Sequence, residues 1–221
     1  MKVLLVGNGC SAAEHKLGKF IDSEFDLVLR MNRFKTIGFE EYVGSKTDIW
    51  VVTDNTIKWV YEKTDGIEGS HNWKNYRGIY MGIPSFKINY LTGGTGNIDA
   101  MAKEASKDLN IPVYIFPPQI ADMITSKLKL PSDQWPTLGI QCLHTLLLDT
   151  NIYDIFIYGF DGKDKKYEYF HYYDIGKPEW RTDTYYNKKL NHADKKEFEN
   201  IQELIKYKKI KKLQDYYESE E

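Results

Sequence analysis

With 221 residues, 42% of them apolar, the chain is long enough to bury one real core, and disorder is excluded as its resting state. A formal net charge of −2 and a pI near 6.2 exclude a protein whose affinity comes from neutralising nucleic-acid phosphates. No window reaches the roughly 18 apolar residues of a membrane span, the opening MKVLLVG is too short for a signal peptide, and two cysteines, Cys10 and Cys142, make neither a disulfide framework nor a zinc site, so a soluble, cytoplasmic protein with reduced thiols is expected.

The first element, Lys2–Val6 (KVLLV), is a continuous apolar run that predicts a buried strand, followed by a Gly-Asn-Gly turn and a helix starting near Ser11. Further strands are predicted at Asp26–Met31, Ile49–Thr53, Gly78–Ile83, Val113–Phe116 and Ile152–Tyr158, with a helical pattern over Ile98–Leu109 between the fourth and fifth. The stretch Lys63–Arg77 reads as a polar surface excursion. Strands alternating with helices predict an α/β fold, a mostly parallel sheet flanked by helices on both faces, in which ligands bind beyond the carboxyl ends of the strands.

After Tyr158 the pattern changes. Residues 161–190 are polar, aromatic and aperiodic, which suggests a lid over a site. Phe198, Ile201, Leu204 and Ile205 then restore helical spacing, the basic run Lys206–Lys212 reads as a solvated helix end, and residues 216–221 read as an acidic tail after a single domain spanning 1–215.

The turn Gly7-Asn8-Gly9-Cys10-Ser11-Ala12-Ala13 has the G-x-G-x-x-A spacing of a dinucleotide fingerprint, with free helix N–H groups that suit a phosphate. That fingerprint needs an acid at the end of the second strand, and here the strand ends in Met31-Asn32-Arg33. The NAD reading is therefore demoted, while phosphate binding in another form is kept.

The residues resemble a more specific pattern. The segment from Gly7 to Trp50, with its GN turn, ID-x-x-x-D, R-M-N and G-F-E-x-x-V-G-x-K-T, is similar to the large sialylmotif of glycosyltransferase family 29, the sialyltransferases. Pro136-Thr137-Leu138-Gly139 followed by Ile155–Phe160 (IFIYGF) is similar to the small sialylmotif, His171-Tyr172-Tyr173-Asp174 to the short H-Y-(Y/W)-(E/D) motif, and His192 to Glu197 to the very short H-x-x-x-x-E motif. All four occur in the family's order. Leu138 and Asp161 stand where the family has Thr and Gly, and the cysteines of the family's disulfide are missing from their positions.

The resemblance implies a Rossmann-like, single-domain variant of the GT-A glycosyltransferase fold and an inverting, metal-independent enzyme. Such an enzyme moves a sugar, sialic acid foremost, from a CMP-sugar donor to a galactoside-containing glycan. It implies no cofactor beyond the CMP-sugar co-substrate; the expectations of no nucleic acid and no membrane-spanning segment come from charge and hydropathy, the latter a departure from the family's membrane-anchored Golgi members. A single CMP phosphate carries less charge than a diphosphate, so hydrogen bonds and a cation can stabilise its departure; the chain also has no Asp-x-Asp sequence, the usual metal–nucleotide anchor. By the same resemblance Asn8, Gly9, Asn32, Thr137, Gly139, Phe160 and Tyr169 contact the donor, His192 is the general base and His171 assists the departing phosphate.

Asn191 and Asp194 suit a cap that puts His192 at the first helical position, where the helix dipole favours the neutral imidazole a base requires. Glu197 is expected to orient the site without moving a proton. His15, His71 and His144 receive no role, and the aromatic residues Tyr167–Tyr173, Trp180, Tyr185 and Tyr186 form a candidate wall for sugar or cytosine. Another nucleotide-sugar donor, or a non-catalytic nucleotide- or glycan-binding protein on the same fold, remain the alternatives.

Overall fold

The computed structural model describes residues 1–53, 75–82, 98–132, 134–152, 154–161, 169, 171–174 and 194–220. Strands β1 (Lys2–Val6), β2 (Leu27–Met31), β3 (Ile49–Thr53), β4 (Gly78–Gly82), β5 (Val113–Ile115), β6 (Asp154–Tyr158) and β7 (Lys211–Lys212) form one sheet in the order β5-β4-β3-β2-β1-β6-β7. Every pairing is parallel. The helices are α1 (Gly18–Glu24), α2 (Glu40–Val43), α3 (Ile98–Leu109), α4 (Pro118–Leu128), α5 (Leu138–Leu148), α6 (Asp194–Lys206) and α7 (Leu213–Glu220).

The continuous apolar strands are buried on both faces, as a parallel sheet requires. On one face α4, α5 and α6 pack against Val3, Leu5, Leu29, Met31, Val51, Ile155 and Ile157. On the other, α1, α2 and α7 cover Leu4, Val6, Val28, Phe156 and Tyr158, and α3 covers Trp50, Val52, Ile79 and Met81. His144, on α5, is buried against α6, its Nε2 2.9 Å from Asn200 Oδ1, and burial holds its imidazole below the usual histidine range.

Differences from the sequence reading sit at element ends. The helix expected near Ser11 is a single 3₁₀ turn, Cys10–Ala13, and the first α-helix begins only at Gly18. A side chain at Gly18 is impossible because its Cβ would lie 1.8 Å from the Glu40 carbonyl oxygen, so this glycine lets α1 lie directly on α2. The basic run is not one solvated helix end: α6 stops at Lys206, Ile210 is buried, and Lys211 and Lys212 pair with Phe156 and Ile157 of β6. The acidic end is not a tail either, since it closes α7, whose Tyr216 and Tyr217 pack around Phe20.

Arg30 is fully buried in β2. Its Nε donates to the Lys46 carbonyl at 3.0 Å and Thr47 Oγ1 at 3.1 Å, and its Nη2 to the Val43 carbonyl at 2.6 Å. From the other side Asp22 accepts from the N–H groups of Ser45 and Lys46 and from Ser45 Oγ. Gly44 turns there with φ 69 and has Asp22 Oδ1 2.4 Å from where a Cβ would be. Much of the first motif is thus a device that holds the α2–β3 turn.

Chain order runs outward from β1 to β5 and returns to the far side of β1 with β6. The reversal point, where ligands bind in such sheets, lies between Gly7–Gly9 and Gly159–Asp161. Gly7 N–H donates to the Tyr158 carbonyl at 2.7 Å and Gly9 N–H to the Gly159 carbonyl at 3.0 Å. A Cβ at Gly7 would lie 2.4 Å from Gly159 O, and Gly159 itself has φ 71, so the two turns interlock through bare backbone.

Candidate active site

Asn8 leaves the carboxyl end of β1 and reaches across to the end of β2, where its Nδ2 donates to the carbonyls of Met31 (3.0 Å) and Arg33 (3.1 Å). Its Oδ1 is buried without a hydrogen-bond partner, an arrangement that costs about 1–3 kcal/mol unless a ligand donor meets it. Asn32 follows β2 with a left-handed backbone, φ 48, and its Oδ1 accepts from Thr53 N–H at 3.3 Å, tying the ends of β2 and β3 together.

The small-motif segment enters from the opposite face. Thr137 caps α5, its Oγ1 accepting from Ile140 N–H at 3.5 Å. Glu197 of α6, buried, accepts from Thr137 N–H at 2.7 Å and from Thr137 Oγ1 at 2.6 Å. The carboxylate therefore fixes the start of α5 and joins two motifs 60 residues apart. At Gly139 an added Cβ would lie 3.0 Å from the Phe160 ring and 3.5 Å from Met31 Sδ, which brings the α5 start to the ends of β2 and β6.

The third segment closes over the same rim. Tyr172 N–H donates to the Asn8 carbonyl at 3.1 Å, and Tyr172 OH donates to the Lys35 carbonyl at 2.5 Å. Tyr173 OH donates to the Arg33 carbonyl. Burial pushes the Tyr172 phenol up to about 12, so it remains a hydroxyl. His171 stacks on Tyr173 at 5.1 Å between centroids with an 11° tilt. Its Nδ1 lies 2.5 Å from Asp174 Oδ2, a carboxylate only 5% exposed. With Nδ1 committed to Asp174, Nε2 is the nitrogen that serves any further partner.

Asn8, Gly9, Asn32, Gly139, Phe160 and His171 therefore converge on the ends of β1, β2 and β6, with Thr137 just behind them. Tyr169 is drawn in through its backbone, its carbonyl accepting from Cys10 Sγ at 2.9 Å. His192, Asn191 and the aromatic residues Tyr167, Phe170, Trp180, Tyr185 and Tyr186 lie outside the described residues, as does His71. The motif alone gives Asp174 no role; its place three residues after His171 is the sequence signal for the pair. If Asp174 orients the imidazole, Asp174→Asn is expected to lower turnover about 10- to 100-fold with unchanged affinity for CMP, and equal turnover would show that the contact is only structural.

The two departures from the motif pattern have local causes. Asp161 accepts from Ser11 N–H at 2.9 Å and from Ser11 Oγ, so its carboxylate caps the first turn. In this turn the N–H groups of Gly7, Gly9 and Ser11 are held by the Tyr158 and Gly159 carbonyls and by Asp161. Burial, with Asp161, Asp174 and Glu14 nearby, pushes the Cys10 thiol up to about 11. Leu138 is buried rather than turned to a ligand, its Cδ1 2.4 Å from where a Gly82 Cβ would be.

Comparison with known proteins follows the same outline. The family model of glycosyltransferase family 29 (sialyltransferase) matches residues 3–209. A curated relative, CMP-N-acetylneuraminate-beta-galactosamide-alpha-2,3-sialyltransferase 1 of Gallus gallus, is 28% identical over 171 residues, covering 77% of this chain and 46% of the relative. The chain thus spans about half the length of that relative. Crystal structures of a mammalian sialyltransferase superpose with TM-scores of 0.60 and, in complex with Gal-beta-1-3GalNAc-ortho-nitrophenol, 0.58, each at 20% identity over 96% of this chain and 68% of theirs.

Proposed function

The chain belongs to glycosyltransferase family 29, the sialyltransferase family, and from that premise we propose that it transfers a sugar, sialic acid foremost, from a CMP-sugar to a hydroxyl of a galactoside-containing glycan. The observation that carries this reading is the pinning of four separate segments to one rim: Asn8 to Met31 and Arg33, Tyr172 to Asn8, and Glu197 to Thr137. Tied together, they make a site that is ordered before substrate arrives, which is where electrostatic stabilisation of a departing phosphate is most effective.

In the proposed step His192 takes the proton of the acceptor hydroxyl, whose oxygen bonds the anomeric carbon of the donor from the face opposite the phosphate. The bond from that carbon to the phosphate oxygen breaks, CMP leaves with the electron pair, and the configuration inverts. His171, held by Asp174, donates a hydrogen bond to the leaving phosphate. Asn8 Oδ1, buried and unpartnered, suits an N–H or O–H of the nucleotide. Asp161 acts as a cap on Ser11, so its presence does not by itself require a different donor.

The proposal includes work in a reducing compartment. Cys10 and Cys142 are free, and burial raises both thiols. Among the described residues no helix is long and apolar enough to cross a membrane.

The test is release of CMP from CMP-sialic acid with and without Gal-beta-1-3GalNAc, in excess EDTA. Acceptor-stimulated release that EDTA does not abolish is expected. Binding of CMP without any release would reject the donor sugar or acceptor, and abolition by EDTA would reject the metal-independent route.

A further inference from the structure

At the end of α6 the chain carries its densest run of positive charge. Lys206, Lys208, Lys209, Lys211 and Lys212 fall within seven residues that hold no acid, in a chain of net charge −2. All five are exposed. Lys211 is taken up by the fold, its Nζ 2.6 Å from Asp154 Oδ1 and 5.2 Å from the centre of the Phe156 ring. Among the described residues, no ion pair engages Lys206, Lys208 or Lys209. A cation in the last helical turn offsets the helix dipole, which accounts for Lys206 but not for the lysines that follow it.

Nor does the turn itself call for a lysine. Lys208 N–H donates to the Ile205 carbonyl and Lys209 N–H to the Leu204 carbonyl, both at 2.9 Å, and Lys208 has a left-handed backbone, φ 55. That is the place at a helix end where glycine fits with least strain. Glu203 lies one turn back in α6 and Asp215 lies inside α7, so the turn between the helices carries positive charge only.

The same end of the molecule exposes apolar side chains. Among the described residues the two most exposed large hydrophobic side chains are Tyr207 (63%) and Leu148 (60%). Helices α5 and α6 run side by side in one direction, joined first at Thr137–Glu197 and again at His144–Asn200. At a rise of about 1.5 Å per residue, Leu148 lies about 16 Å beyond Thr137 and Tyr207 about 15 Å beyond Glu197. Both therefore stand at the end remote from the Asn8 rim. Asp149, next to Leu148, is turned back to accept from Asn151 N–H at 2.9 Å.

We propose that the Lys206–Lys209 turn, with Tyr207 and Leu148, docks the protein on an anionic phospholipid surface. Flexible ammonium groups meet the anionic headgroups, while the tyrosine ring and the leucine enter the interfacial layer beside them. A nucleic acid or an acidic protein groove is met best by the planar fork of arginine, and the turn contains none. The turn and the candidate site lie at opposite ends of α6, so docking leaves the site facing away from the bilayer, and the proposal does not depend on the transferase reading.

The test is co-sedimentation of the full chain with vesicles of phosphatidylcholine alone and of phosphatidylcholine with about 30% phosphatidylserine. Two triple variants are compared: Lys206→Gln, Lys208→Gln, Lys209→Gln at the turn, and Lys19→Gln, Lys103→Gln, Lys107→Gln, which removes the same charge from exposed positions elsewhere. Binding is expected to the mixed vesicles only and to be lost at high salt. Each lysine at such a surface contributes about fivefold, so the turn variant should bind about a hundredfold more weakly and the other within about threefold of the unsubstituted protein. Tyr207→Ser, with no change in charge, should weaken binding severalfold. No binding to the mixed vesicles, or an equal loss in the two triple variants, overturns the proposal. Poly(U) RNA bound as tightly as the vesicles, with the same loss in the turn variant, overturns it in favour of a nucleic acid.

Discussion

His192→Ala is expected to lower acceptor-stimulated CMP release at least a hundredfold while leaving CMP affinity within about twofold. General-base catalysis contributes typically 10²–10⁴-fold, and alanine removes the proton acceptor without removing a donor contact. The helix that follows His192 is firmly placed: Glu197 is locked to Thr137 at 2.7 and 2.6 Å, and Ile201 and Leu204 are in the core. The pH–rate profile adds a second readout, because the fall in rate toward low pH should flatten in the variant if His192 must be deprotonated to act. An unchanged rate would place the base elsewhere.

Arg30→Met should destabilise the fold by about 2–4 kcal/mol, a drop of about 5–15 °C in Tm for a chain of this size. Three acceptors lose their donor: the carbonyls of Val43 and Lys46 and the hydroxyl oxygen of Thr47. No acid is paired with the guanidinium among the described residues, and burial depresses its pKa, so removing the charge returns part of the desolvation cost. The net loss is therefore smaller than the sum of the three bonds and the packing. Arg30→Lys is expected to fall between, since an ammonium cannot span the Val43–Thr47 turn as a planar fork does. Equal melting temperatures for Arg30→Met and the unsubstituted protein would reject this account.

The parallel sheet was legible because its strands are uninterrupted apolar runs, each bounded by polar or glycine residues; KVLLV and IWVVT admit few other readings. Strand β7 was not, because Lys211 and Lys212 are exposed and carry no hydrophobic signal, although they pair with β6. The α1 start was hidden for a similar reason, since it depends on the backbone contact between Gly18 and Glu40.

At the site, motif order pointed to Asn8, Asn32, Thr137 and His171, but the chemistry of their contacts was not readable. Asn8 braces two carbonyls, and Thr137 answers to an acid 60 residues away. Asp161 illustrates the limit best. The sequence shows only that it stands where the family has Gly, while the structure shows its carboxylate capping a neighbouring turn.

The shortness of β7 also bears on how the molecule behaves in a crowded solution. A parallel sheet that ended in a long apolar strand would offer a row of unpaired peptide groups to another chain. Here that border is two residues, both exposed lysines, and like charges would meet if two copies approached edge to edge. The other border, β5, contributes no lysine of its own: it is Val113–Ile115, with Tyr114 56% exposed. Self-association during concentration or expression should therefore begin at β5, and Tyr114→Lys should raise the solubility limit more than any change at Lys211 or Lys212.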